Sequence, residues 1–212
     1  MRITQAQIDL ITRLIRRHPR IGIVALVAFL IFAGFETYYA FSPPHQIATL
    51  IHPGKLASLG TRAGNPRVQK YVSILENARR SGSDPAEVVL RAVEITGMRG
   101  DLAKLTADAM LRNLTIAERL GCLNASGLRA MSEGHAPIVT KGPYKGDQLS
   151  VDHIIPLSVV PELDNVIANL ELLPLRMNQS KRASMGARQE DLLNKLRAAG
   201  LDVGGDSLAR EP

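Results

Sequence analysis

The chain has 212 residues, a formal charge of +6 and an isoelectric point near 9.8, and 45% of its residues are hydrophobic. It is long enough for one modest domain with additions, and apolar enough to bury a core. A single cysteine, Cys122, excludes an intrachain disulfide and a cysteine-rich zinc site. The basic balance hints at nucleic acid, but its distribution weakens the hint. Five arginines (Arg2, Arg13, Arg16, Arg17, Arg20) against Asp9 place four of the six net charges in the first twenty residues.

Residues 1–20 carry Ile8, Ile11, Leu14 and Ile15 at helical spacing, which predicts a short amphipathic helix on the cytoplasmic face of a membrane. The run Ile21–Phe35 is uncharged and apolar for fifteen residues, and Glu36 follows it. A spanning helix needs roughly 20 apolar residues. Extending the run to Phe41 gives twenty-one, with Tyr38, Tyr39 and Phe41 where an aromatic belt belongs. Residues 21–41 are therefore expected to be a transmembrane signal-anchor. The arginines before it put the N-terminus in the cytoplasm, so the C-terminal domain of a single-pass inner-membrane protein lies on the periplasmic or extracytoplasmic side. The alternatives are a cleaved signal peptide, giving a secreted or periplasmic protein, and a buried core helix. The small-residue cleavage pattern near Ala33–Gly34 or Ala40 is poor.

Residues 42–66 hold Pro43, Pro44, Pro53, Pro66, Gly54, Gly60 and Gly64, a density that predicts an extended linker. Residues 67–133 read as a helical region. Asn65 and Pro66 open one helix; Asp84, Pro85 and Glu87 open a second with a capping box, and Gly97 ends it. A third runs from Asp101 to Gly121, and a short one from Asn124 to about Ser132. Cys122 reads as a small buried hydrophobe at a helix end. A Gly/Pro-rich loop, 132–148, leads into the most informative stretch.

That stretch is "LSVDHIIPLSVVPELDNVIANLELLPLRMNQSK", Leu149–Lys181. Leu149, Val151, Ile154 and Ile155 are β-prone, and Pro156 ends ladder pairing. A loop runs from Leu157 to about Ala168. Asn169–Pro174 forms a second short strand, and a helix follows from Arg176 to a stop at Gly200. The order is strand, loop, strand, helix, with Asp152 and His153 at the end of the first strand and Asn178 early in the helix.

The sequence D-H-I-I-P, then N-L-E-L-L-P, then N-x-x-K resembles the HNH endonuclease motif of the ββα-metal (His-Me finger) superfamily. The match covers about 149–182 and implies a module over 134–200, followed by a flexible tail, 201–212. The fold class expected for the whole chain is thus α+β: an N-terminal transmembrane helix, a helical layer, and a ββα-metal HNH module. The resemblance implies that His153 is the general base, with Asn169 clamping the loop that positions it, and that Asp152 and Asn178 hold a divalent metal. The third letter of the motif is Asn178 where the family often has His. Oxygen donors of this kind favour Mg²⁺ or Mn²⁺ over Zn²⁺. Arg176, Lys181, Arg182 and Arg188 gather positive charge where a phosphate backbone would lie. The expectation is a metal-dependent endonuclease acting on nucleic acid, DNA favoured and RNA the alternative. The competing expectation is an inactive, membrane-tethered nucleic-acid-binding or interaction protein.

Overall fold

The structure, a computed structural model, describes residues 4–17, 19–181 and 183–203; Arg182 and most of the expected tail lie outside them. The chain divides at Ser42 into two units. The first holds α1 (Gln5–Arg17) and α2 (Pro19–Ala40). On α1, Ile8 and Leu10 are exposed, and on α2 so are Val24, Leu30 and Ile31.

The structure does not bear out the expected transmembrane anchor. Among the described residues, no helix is long and apolar enough to cross a membrane. The reason lies in the charges that bracket the run: Arg20 precedes it and Glu36 follows it within α2. The uncharged fifteen residues between them reach roughly 22 Å as a helix, against a hydrocarbon core of about 30 Å. Counting on to Phe41 places Glu36 inside the span. The transmembrane element of the expected fold class falls, and with it the single-pass placement and the orientation derived from it.

The second unit begins at Pro43. Its first part also differs from expectation. Instead of an extended linker, residues 42–66 contain α3 (Pro43–Ile51) and α4 (Pro53–Ala57). The prolines sit in the first turns, where a missing N–H costs nothing. Ile47, Ile51 and Leu56 are buried in the main core. The helices α5 (Asn65–Arg80), α6 (Pro85–Ile95), α7 (Gly100–Arg119) and α8 (Ala125–Glu133) form where capping and periodicity place them. Asp84 accepts a hydrogen bond from the Ala86 N–H, and Asn124 accepts one from the Gly127 N–H.

β1 (Leu149–His153) pairs antiparallel with β2 (Leu170–Pro174), in the register Asp152 opposite Glu171 and His153 opposite Leu170. A two-stranded sheet is marginal alone; helical side chains stabilise this one at its edges. Asn113 of α7, fully buried, donates from Nδ2 to the Leu170 carbonyl (3.0 Å) and to the Tyr71 hydroxyl (2.7 Å), and its Oδ1 accepts from the Leu172 N–H (2.9 Å). Gln69 of α5 donates to the Leu149 carbonyl at 3.0 Å. The otherwise open ladder groups are thereby paired. Burial pushes the Tyr71 hydroxyl well above its ordinary pKa.

After β2 the expected single helix is two: α9 (Leu175–Ser180) and α10 (Ala187–Ala198). Lys181 is extended (ψ 127°), and the poor helix formers Ser184 and Gly186 stand before α10. α10 packs back through Leu193 and Leu196 onto Ile155, Val160, Leu163 and Ala168. The long β1–β2 loop therefore has a small core of its own. The result is a mixed helical domain with one two-stranded sheet.

Candidate functional site

Side chains alternate along a strand, so Ser150 and Asp152 share one face of β1. Directly opposite residues in an antiparallel pair also share a face, which sets the Asp152 carboxylate beside that of Glu171. Each of these like charges is neutralised separately. Glu171 takes Arg188 and, at 3.2 Å, Arg112. Asp152 takes the Lys181 ammonium at 2.5 Å. Lys181 Nζ also donates to the His153 carbonyl at 2.8 Å. The break after α9 is what lets Lys181 turn back to the end of β1. One turn earlier, Asn178 Nδ2 donates to Ser150 Oγ at 3.1 Å, which draws Asn178 to the face that carries Asp152.

His153 is 8% exposed. Its Nε2 lies 2.9 Å from the Asp164 carbonyl and 3.0 Å from Asp164 Oδ1. Both partners are acceptors, so Nε2 carries a proton, and in the neutral tautomer that this selects the lone pair is on Nδ1. If the ring takes up a second proton, the Asp164 carboxylate is already placed to stabilise the imidazolium. Asn169, fully buried, fixes the loop between them. Its Oδ1 accepts from the Ile155 N–H (2.7 Å), and its Nδ2 donates to the carbonyls of Ile155 (3.1 Å) and Leu163 (3.3 Å). The Ile154 N–H returns to the Asn169 carbonyl at 2.8 Å. The residues straight after His153 are thus tied to those just before β2.

Asp152, His153, Asp164, Asn178 and Lys181 line one open cavity of about 600 Å³, with Pro156, Pro161 and Ala183 among its walls. Arg176 and Arg188 are not among its lining residues. Arg176 pairs with Asp147 at 3.4 Å and lies over the Tyr144 ring, 5.9 Å from its centroid. The hydrogen bond from the Arg176 backbone N–H holds the Asp147 carboxyl below the usual carboxylate range. Arg188 is tied to Glu171, and that hydrogen bond raises its guanidinium pKa. Arg182 lies outside the described residues.

The divalent ion that the sequence resemblance implies needs a set of donors. Among the described residues, no group of three or more His, Cys, Asp or Glu side chains is arranged to hold a metal. Asp152 and Asn178 nonetheless line the same cavity. Asn178 uses its Nδ2 on Ser150, which leaves Oδ1 for a ligand. One carboxylate and one amide oxygen are hard donors, too few for a closed zinc site. They are sufficient for an ion that keeps most of its coordination sphere as water and phosphate oxygen, as Mg²⁺ commonly does. The residues present fit such an ion.

Sequence reasoning missed Asp164 and Arg62, both of which line the cavity. Asp164 reads in sequence only as a turn residue, and Arg62 lies in the segment expected to be a linker. No spacing rule connects Arg62 to a strand that starts more than eighty residues later. No protein-family model matches the chain, and no curated protein or solved structure matches it either.

Proposed function

We propose that this chain is a metal-dependent endonuclease of the HNH type, hydrolysing phosphodiester bonds in nucleic acid, with DNA the favoured substrate and RNA the alternative. One observation carries the reading. An imidazole whose Nε2 is committed to two oxygens of Asp164 stands on the wall of the cavity that also holds Asp152 and Asn178. The likeness of Asp152–His153, Asn169 and Asn178 to the HNH pattern supports the same assignment.

In this reading neutral His153 removes a proton from water through Nδ1, and its positive charge is held by Asp164. The water oxygen forms a bond to phosphorus as the bond from phosphorus to O3′ breaks. A 5′-phosphate and a 3′-hydroxyl remain, the latter taking its proton from solvent. Asn169 keeps the imidazole in register by fixing the loop. Lys181, tethered to Asp152 and the His153 carbonyl, adds positive charge beside the phosphate. A bound Mg²⁺ or Mn²⁺ on Asp152 and Asn178 would supply charge stabilisation to the phosphate and the departing O3′.

A second reading has one observation in its favour. The Lys181 ammonium sits on Asp152 at 2.5 Å, so the expected ligand already has a cation. An inactive nucleic-acid-binding protein would retain DNA without cutting it. The test is conversion of supercoiled plasmid by the full chain in Mg²⁺ or Mn²⁺, with EDTA and His153→Ala as controls. The endonuclease reading expects nicked and linear products that both controls abolish. Retention without cleavage, and indifference to His153→Ala, would establish the second reading instead.

A further inference from the structure

Beside the cavity runs the short segment between α4 and α5, which brings Thr61 and Arg62 to its wall. The segment is held there from both ends. The Arg62 N–H donates to Asp164 Oδ2 at 2.8 Å, and the Gly64 N–H donates to Asn165 Oδ1 at 2.7 Å. Asn165 Nδ2 in turn donates to the Gly60 carbonyl at 3.1 Å. The approach is close: a Cβ on Gly64 would fall 2.9 Å from Leu170 Cδ1. Asp164 therefore uses one carboxylate oxygen on His153 and the other on the Arg62 backbone.

Arg62 takes φ +58°, and it is the non-glycine residue with positive φ among those described. Left-handed backbone is strained for a side chain of this kind, and glycine would relieve it. Local strain that persists in a well-tied segment tends to sit at functional positions. What Arg62 offers and glycine lacks is an exposed guanidinium. That group makes no hydrogen bond or ion pair with the described residues. Arg176, Arg188 and Lys181, by contrast, are paired with Asp147, Glu171 and Asp152. Among the described residues that line the cavity, the cation left available comes from the upstream segment.

We propose that Arg62 contacts a backbone phosphate of the nucleic acid seated in the cavity, and that its strained conformation is retained for that contact. This rests on the endonuclease reading. Guanidinium geometry suits a phosphate, and the contact is independent of base sequence.

The experiment compares full-length wild type with Arg62→Gly and Arg62→Lys. Plasmid cleavage is measured alongside binding of a short labelled DNA duplex across a salt series, the binding in a His153→Ala background. Arg62→Gly should melt at the same temperature or higher. Its kcat/KM should fall roughly ten- to a hundredfold, the scale of one hydrogen bond to a charged group. The slope of log Kd against log salt should become shallower by about 0.9, the loss of one phosphate contact. Arg62→Lys should restore the slope. Unchanged cleavage and slope in Arg62→Gly, or Arg62→Lys behaving like Arg62→Gly, overturns the proposal while leaving the endonuclease reading intact. A wild type that neither cuts nor binds overturns both.

Discussion

Asn169→Ala is the perturbation that most fully engages the loop's physics. The side chain is fully buried and satisfies three backbone groups: the Ile155 N–H at 2.7 Å and the carbonyls of Ile155 and Leu163 at 3.1 and 3.3 Å. Truncation leaves the Ile155 amide buried without an acceptor and removes a donor from each carbonyl. Together these cost about 2–4 kcal/mol, a large part of the roughly 5–15 kcal/mol that holds a domain folded. With a urea dependence of about 2 kcal/mol per molar, the midpoint followed by far-ultraviolet circular dichroism should fall by about 1–2 M. Amide exchange at Ile155 should lose its protection. Asn169→Asp separates the terms, because it keeps the acceptor for the Ile155 N–H but turns an oxygen toward two carbonyls and buries a charge. Burial raises the folded-state pKa of that carboxyl, so the folded form binds more protons and the variant should regain stability as pH falls. A midpoint shift for Asn169→Ala below about 0.3 M, with the Ile155 amide still protected, would refute the reasoning.

Asp164→Asn offers one acceptor where two donors, His153 Nε2 and the Arg62 N–H, now meet two. Cleavage should fall roughly tenfold or more, read as kcat on plasmid; no change would show that the Asp164 backbone carbonyl alone sets the ring. Asn113→Ala strands the Tyr71 hydroxyl, the Leu170 carbonyl and the Leu172 N–H. It should cost about 2–4 kcal/mol in thermal or urea unfolding, and a loss under about 1 kcal/mol would contradict the edge-capping role. Burial pushes the Cys122 thiol up to about 11. Native protein should therefore resist iodoacetamide in mildly alkaline buffer and react once unfolded in urea, whereas rapid alkylation of the folded chain would mean an accessible thiol.

The parts of this fold that could be read from sequence are those governed by local rules. Asp84 with Pro85 and Asn124 announce helix starts, because capping depends on neighbours only. The two strands of the β1–β2 pair are short runs of β-prone and apolar residues closed by Pro156 and Pro174. The segment 42–66 misled because proline and glycine density resembles that of a tether, whereas Pro43, Pro44 and Pro53 stand at helix starts and Ile47, Ile51 and Leu56 have a core to enter. The apolar run from Ile21 misled through length: its charged flanks leave too short a stretch to span. At the site, the pairing of Asn178 with Ser150 and the turn of Lys181 back to Asp152 depend on where β1 and α9 meet. Asp164 and Arg62 could not be nominated in advance, since their roles come from a contact between segments about a hundred residues apart.

The central claim is that the His153 imidazole acts as the base in metal-dependent phosphodiester cleavage. It is tested most directly by adding free imidazole to full-length His153→Gly with plasmid and Mn²⁺. The account predicts that the variant alone is inert, that added imidazole restores cutting in proportion to its unprotonated fraction, and that EDTA abolishes the restored activity. A His153→Gly protein that cuts as fast as wild type without imidazole would contradict it.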